Sequence, residues 1–223
     1  MRPIIAVILC LSLLAVPVRA EAETKYVALT FDDGPSGRFT RRLLDGLAER
    51  DVKATFLICG YRIKEYPAEA QRIADEGHEI GIHGYSHKSM CPMTQAEVEA
   101  EILDTAALLP AGAEPVFLRP PGGQCGDGMW DAAKNQGLAV LTWSLDSKDW
   151  AIRDAGALVE RVVSRVRDGD VILMHDMYDS TITAALRIID ILSARGYRFV
   201  TAAELADLRD VQLQPGAVYC SFP

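Results

Sequence analysis

The sequence predicts an α/β protein: a distorted, incomplete parallel (β/α) barrel of about seven strands in a single domain. Three observations lead there. Short apolar runs rich in β-formers alternate with amphipathic helical patterns from residue 25 to residue 201. Strands separated by single helices pair in parallel through right-handed crossovers. Second, five short polar clusters each sit just past an apolar run: Thr30-Phe31-Asp32-Asp33-Gly34-Pro35, His83-Gly84-Tyr85-Ser86-His87, Arg119-Pro120-Pro121-Gly122-Gly123, Asp146-Ser147-Lys148-Asp149-Trp150 and Leu173-Met174-His175-Asp176. Third, these clusters follow the first, third, fourth, fifth and sixth strands, which places all of them at C-terminal strand ends. The mouth of a barrel gathers such ends in one place, whereas an open sheet spreads them along an edge.

Taken in order, the strands are expected at Lys25–Phe31, Ala54–Cys59, Glu79–His83, Pro115–Leu118, Ala139–Ser144, Val171–His175 and Arg198–Thr201. Apolar residues recur with a 3.6-residue period over Phe39–Arg50 and Glu65–Glu76, as helices require. Thr94-Gln95-Ala96-Glu97 has the form of a capping box and opens a helix that runs to about Leu109-Pro110. Gly137 and Gly196 follow amphipathic segments and precede strands, as helix-terminating glycines do. With no repeat, low-complexity tract or Ser/Pro-rich linker, residues 21–223 are expected to form one catalytic domain.

The first twenty residues are set apart. Arg2 is followed by an apolar stretch from Ile4 to Val18 and then Val18-Arg19-Ala20, the form of a secretory signal peptide cleaved after Ala20. The apolar run is about 15 residues where a spanning helix needs about 20, which favours cleavage over a membrane anchor. The expected product is secreted or periplasmic and has no membrane span. The chain carries a net charge of −8, and losing Arg2 and Arg19 makes it more negative. A nucleic-acid partner is disfavoured for want of a basic face; a neutral or cationic glycan suits this field better. Beyond Cys10 in the leader there are four cysteines: Cys59, Cys91, Cys125 and Cys220. An even count in an exported chain predicts disulfides, and Cys91 with Cys125 is the preferred pair because each lies a few residues past a cluster.

The clusters supply two adjacent carboxylates, two histidines four apart, an arginine, a further Asp and another His. That inventory suits a divalent metal, a water molecule and an acyl group to be cleaved. At a strand end, neighbouring side chains point to opposite faces, so Asp32 and Asp33 need different tasks. A helix N-cap with a spare acid is the plain alternative. His83 and His87 converge on one ion if Gly84 to Ser86 form a turn. With a carboxylate they make a two-His, one-carboxylate set that leaves coordination positions open. Leu173 shares a face with His175 and, with Trp150, offers an apolar wall for an acetyl methyl. Asp146 and Asp176 are expected to cap or to be solvated, and His78 to be structural.

The order and spacing of the five clusters resemble the polysaccharide deacetylases, the NodB homology domain of carbohydrate esterase family four, over nearly the whole chain after the leader. The resemblance implies the barrel, removal of acetyl groups from N-acetylated sugars of a polysaccharide or oligosaccharide such as chitin oligomers or peptidoglycan, with a xylan-type O-acetyl esterase as the alternative, and a divalent metal on Asp33, His83 and His87. Zinc is the first choice, with cobalt or nickel able to substitute. It further implies Asp32 as general base, held ionised by Arg119, and His175 as general acid, oriented by Asp149. Where the family usually has Tyr, this chain has Gly122. The backbone N–H that donates to an oxyanion is retained there while the wall of the groove is lost. Two other classes share parts of the pattern. An iron oxygenase uses the same ligand types but needs no separate base and acid, and a catalytically silent glycan-binding protein need not keep the full set.

Overall fold

Strand β1 (Lys25–Asp32) organises the sheet, and its sequence shows why. Every residue from Val27 onward is buried, and alternate side chains take opposite faces. Val27, Leu29 and Phe31 pack outward into the main helix-facing core with Leu43, Leu47, Ile188 and Leu192. Ala28 joins a separate inner cluster with Leu57, Phe117, Leu141, Val171, Leu205 and Phe222. Two residues further along the same inward face comes Thr30, and then Asp32 at the mouth. The barrel interior thus grades from apolar at one pole to charged at the other.

The computed structural model describes residues 24–123 and 126–223, so the expected leader (residues 1–20) lies outside the described residues. After β1 come α1 (Arg38–Ala48), β2 (Thr55–Ile58), α2 (Gly60–Glu65), α3 (Pro67–Asp75), β3 (Glu79–Ile82), α4 (Gln95–Ala106) and β4 (Phe117–Leu118). They are followed by α5 (Asp127–Asn135), β5 (Ala139–Leu141), β6 (Leu145–Asp146), α6 (Ala155–Val163), β7 (Val171–His175), α7 (Asp179–Ala194), β8 (Tyr197–Val200), α8 (Ala202–Asp207) and β9 (Val218–Tyr219). The strands form one curled sheet in the order β6-β7-β1-β2-β3-β4-β5-β9, with β8 on the first half of β1 and every ladder parallel. This is the distorted, incomplete barrel that the alternating pattern predicts. Among the described residues no helix is long and apolar enough to cross a membrane.

Three local differences from the expected elements have physical causes. The strand predicted at Ala139–Ser144 is broken: Thr142 donates to Tyr219 on one edge, whereas Ser144 donates to Val171 on the other. The chain therefore leaves β4 and β9 and joins β7, so the curled sheet meets itself at a bend in the chain. The helix predicted over Glu65–Glu76 begins only at Pro67, because Tyr66, preceding a proline, is held out of the helical region at φ −135°. A separate turn of helix, α2, precedes it. The capping box at Thr94 and Glu97 is present, but α4 ends at Ala106, earlier than the proline at 110 suggests. Gly137 and Gly196, after α5 and α7, take the left-handed φ values of 72° and 84° expected of helix stops.

Among the described residues no disulfide is present, and the preferred Cys91–Cys125 pair includes a residue outside them. Cys59, Cys91 and Cys220 are free thiols. Cys59 is sealed at the end of β2 with its Sγ 3.9 Å from the His83 carbonyl, whereas Cys91 and Cys220 are exposed. Cys125 lies outside the described residues. The neighbourhood behind the Cys91 preference is real, since a Cβ at Gly126 would come within 2.4 Å of the Cys91 carbonyl.

Candidate active site

Asp32 ends β1 facing the interior, 3% exposed, and the next residue reverses the chain. Asp33 sits at φ 71°, in the left-handed region that short polar side chains tolerate. That twist carries its carboxylate to the same mouth instead of the opposite face of the sheet. Gly34 follows because nothing larger fits: a Cβ there would meet the Asp176 carboxylate at 2.4 Å.

His83 follows β3 and is buried. Its Nδ1 lies 2.7 Å from the Arg119 carbonyl, so that nitrogen carries the proton and Nε2 presents a lone pair. Asp33 Oδ1 is 3.2 Å from this Nε2 and 2.8 Å from Nε2 of His87. The three ligand atoms lie within 4.8 Å of one another. Asp33 Oδ1 is buried yet makes no hydrogen bond of good geometry. An orphaned anionic oxygen facing two imidazole nitrogens, one with its tautomer fixed, is the donor set a borderline divalent cation takes. The residues fit the metal that the sequence implies. Burial opposes the charge on Asp33, but the two imidazoles outweigh it and hold its carboxyl well below the usual carboxylate range.

Behind this trio, Arg119 is wholly buried and every arm of its guanidinium is used. Nε donates to the Leu141 carbonyl at 2.9 Å, and one terminal nitrogen donates to the Thr142 carbonyl at 2.8 Å. The other reaches Thr30 Oγ1 at 2.8 Å and Asp32 Oδ1 at 2.6 Å. Only Oδ2 of Asp32 is left facing forward, 3.8 Å from His83 Nε2.

Across the mouth, Asp149 is fully buried. Its Oδ2 accepts from the His175 backbone N–H at 2.7 Å and from Thr181 Oγ1 at 2.9 Å, while Oδ1 lies 2.7 Å from His175 Nδ1. The imidazole is thus oriented with Nε2 outward. Burial disfavours the imidazolium, but the Asp149 hydrogen bond and the charges of Asp149, Asp32 and Asp33 overcome it and raise the pKa to about 9.

A cavity of about 350 Å³ unites these groups; Asp32, Asp33, His83, His87 and His175 all line it. Gly122, Leu173 and Trp150 line it too, with Leu173 buried and Trp150 53% exposed, as a rim residue must be. Arg119 and Asp149 stand behind the wall. A larger cleft of about 700 Å³ at the opposite pole, bordered by Lys25, Arg50 and Tyr197, holds none of this chemistry, so size does not decide the site.

With that constellation in place, the comparison with known sequences has a meaning. A family profile described as "Polysaccharide deacetylase" matches residues 19–141. The chain belongs to the polysaccharide deacetylase family. It is 37% identical over 193 residues to the peptidoglycan-N-acetylglucosamine deacetylase PgdA of Listeria monocytogenes, covering 85% of this chain and 41% of that one. It is 36% identical to a peptidoglycan-N-acetylglucosamine deacetylase of Bacillus cereus, over 81% of this chain and 88% of the relative. A chitooligosaccharide deacetylase of Sinorhizobium fredii is 34% identical, over 77% and 87% of the two chains. Among solved structures, a family 4 acetyl xylan esterase from Clostridium thermocellum in complex with a cobalt ion superposes at TM-score 0.83 with 37% identity, covering 89% of this chain and all of that one.

Two more residues complete the cavity lining of this polysaccharide deacetylase. Trp143 and Asp146 line the cavity. Trp143 falls within the expected strand Ala139–Ser144, and only the bend there turns it to the cavity. Asp146 does make the expected turn, accepting from the Lys148 N–H at 2.7 Å, but it does so on the cavity wall. Asp176 is not solvated: it is fully buried, takes hydrogen bonds from Thr40 and Ser36, and lies against Gly34. Burial and the nearby Asp33 charge push its pKa up to about 7, against the lowering effect of the Thr40 bond. His78 is structural as expected: its Nδ1 accepts from the Ala54 N–H at 3.2 Å, and burial holds its pKa near 4. Gly122 takes φ 69° and a Cβ there would meet nothing within 4 Å, so the missing side chain leaves open space in the groove.

Proposed function

We propose that this enzyme hydrolyses acetyl groups from N-acetylated sugars of a polysaccharide or oligosaccharide, such as chitin oligomers or peptidoglycan, with a zinc ion held by Asp33, His83 and His87. The observation that carries the reading is one cavity faced by a three-ligand cluster, an arginine-held carboxylate and an aspartate-held imidazole. The ion, for which cobalt or nickel can substitute, supplies Lewis acidity and a water acidic enough to ionise near neutral pH.

The protein's own groups divide the remaining work. Asp32 Oδ2 accepts the water's proton, because Arg119 occupies Oδ1 and leaves Oδ2 as the oxygen that faces the cavity. The Gly122 N–H donates to the oxyanion. His175 gives its Nε2 proton to the departing amine as the C–N bond breaks, while Asp149 retains Nδ1–H. Leu173 and Trp150 enclose the acetyl methyl, and residues 21–223 act as the single catalytic domain.

An oriented, protonated acid matters most for an amine leaving group, which favours amide over ester substrates. The likeness to an acetyl xylan esterase keeps O-acetyl groups as the second reading. Removal of the leader near Ala20 and action outside the cytoplasm belong to the same proposal, supported by relatives whose names place them on peptidoglycan. The test is acetate release and loss of acetyl by mass spectrometry on N-acetylated oligosaccharides, with an acetylated xylan alongside. Turnover of the N-acetylated set that a chelator abolishes and zinc restores supports the reading. Saturable glycan binding without acetate release under any metal shows a silent binder instead, and oxygen-dependent turnover shows an iron oxygenase.

A further inference from the structure

We infer that Glu101, on α4 and outside all five motif clusters, is a positioning residue for the metal ligands: it sets the turn that brings His83 and His87 onto one ion. The inference rests on the metal site proposed above.

The two histidines lie at the ends of a five-residue loop, and the three residues between them must hold both rings to a common point. Four backbone groups of that turn are held from outside it, two by α2 and two by α4. The carbonyls of Gly84 and Tyr85 accept from the N–H groups of Gly60 and Tyr61, at 3.0 and 3.1 Å, at the start of α2. The N–H groups of Tyr85 and Ser86 point the other way and converge on a single oxygen, Oε2 of Glu101, at 2.7 Å each. Ser86 Oγ donates to the other oxygen, Oε1, at 2.6 Å. One carboxylate therefore closes three donors of one turn, from a helix that otherwise contributes nothing to the mouth. A carboxyl oxygen carries two lone pairs and so can accept from both amides at once.

The loop is also under conformational demand. Gly84 sits at φ 75° and His87 at φ 59°. A Cβ at Gly84 would press on Glu101 Oε2 at 3.2 Å, so the backbone passes directly over the carboxylate. A non-glycine residue in the left-handed region persists only where its surroundings over-determine it. Here α2 fixes the carbonyls and Glu101 fixes the amides. Without the latter, His87, whose side chain is 41% exposed, has little else to hold it.

The test is metal affinity, measured by competition of Zn²⁺ against a chromophoric chelator, so it needs no turnover. Glu101→Leu fills the same space with no acceptor and should weaken Zn²⁺ binding by about 10- to 100-fold, the usual scale for a lost partner of this kind. Glu101→Gln keeps an oxygen for the two amides, and its NH₂ meets Ser86 Oγ as acceptor. It should stay within about threefold of the parent, because hydrogen-bond geometry and not charge carries the role. Co²⁺ loaded into Glu101→Leu should show altered visible bands, while the Gln protein keeps the parent spectrum. In the metal-free proteins, amide hydrogen exchange at Tyr85 and Ser86 should be slow in the parent and fast in the Leu variant. If the Leu variant does not fold, Glu101→Asp, which retracts the carboxylate by one methylene, should give the same exchange and a smaller loss of affinity. A folded Leu or Asp variant with parental affinity overturns the inference, as does a Gln variant as weak as Leu. A parent that binds no metal refutes the metal site itself, a separate outcome.

Discussion

The two walls of the mouth are built on one plan with the charges exchanged. On one wall the group facing the cavity is a carboxylate, Asp32, and the buried group behind it is a cation, Arg119. On the other the cavity group is an imidazole, His175, and the buried group behind it is a carboxylate, Asp149. In each pair the rear member is tied into the fold by further hydrogen bonds, Arg119 to two carbonyls and Thr30, Asp149 to a backbone N–H and Thr181. The front member thereby receives both an orientation and a preferred charge. The difference lies in what can titrate. Behind Asp32 stands a guanidinium, a group that does not lose its proton in proteins. The Asp149–His175 side depends on a proton that leaves as pH rises.

The strongest way to break this symmetry is Arg119→Met, which leaves Asp32 buried without its partner. Removing one member of a buried pair costs about 3–5 kcal/mol. The variant should lose that much in urea unfolding and be inactive. Arg119→Lys retains the charge but cannot span Asp32 and both carbonyls, and should recover only part of the stability. Wild-type stability in Arg119→Met would show that the pair does not anchor the wall.

His175→Ala attacks the opposite wall and should act on chemistry more than folding. Loss of general-acid help is worth roughly 10²–10⁴ in rate. It should fall on an N-acetylated sugar, whose amine leaves poorly, and far less on an aryl acetate, whose phenolate leaves unaided. Equal losses on both substrates would remove the acid assignment. Asp149→Asn is milder. Without the carboxylate that raises it, His175 loses its proton at lower pH, and the alkaline limb of the rate profile should move down.

The smallest expected effect separates the two pairs in the metal-free protein. His175 is raised from 6.5 to about 9 in the folded state. Its pairing therefore stabilises fully below pH about 6.5 and is lost as pH rises through about 9, a change on the order of 1–3 kcal/mol. The slope should be present in the parent, reduced most in Asp149→Asn, which also loses the hydrogen bond, and reduced less in Asp32→Asn, which removes only a charge across the cavity. A flat curve across that window would show that the imidazole is not held charged.

The mouth was legible because its residues fall at strand ends, where the period-two pattern stops and polar residues begin. Asp32, Asp33, His83, His87, Arg119, Asp149 and His175 could each be placed that way, and the resemblance supplied their roles, including those of Arg119 and Asp149, which do not touch the cavity. What escaped lay elsewhere. Trp143 and Asp146 reach the cavity only because the fifth strand bends at Thr142–Ser144, and no local propensity marks a bend caused by two different edges. Strands β6 and β9, of two residues each, carry too little pattern to be seen. The burial of Asp176 depends on Gly34 passing over it, a contact between residues far apart in sequence. Among the cysteines, the even count spoke for disulfides, whereas Cys59 is sealed in the core as a free thiol, which a count cannot reveal.

The bend in the fifth strand has one more consequence. Where β5 gives way to β6 the ladder is interrupted, and the carbonyls of Leu141 and Thr142 are taken by Arg119. The residue that rivets the seam of the barrel is thus the counter-ion of Asp32. A chain whose seam has not closed lacks the guanidinium beside that carboxylate, so refolding protein should regain turnover in the same kinetic phase that closes the barrel and in none before it.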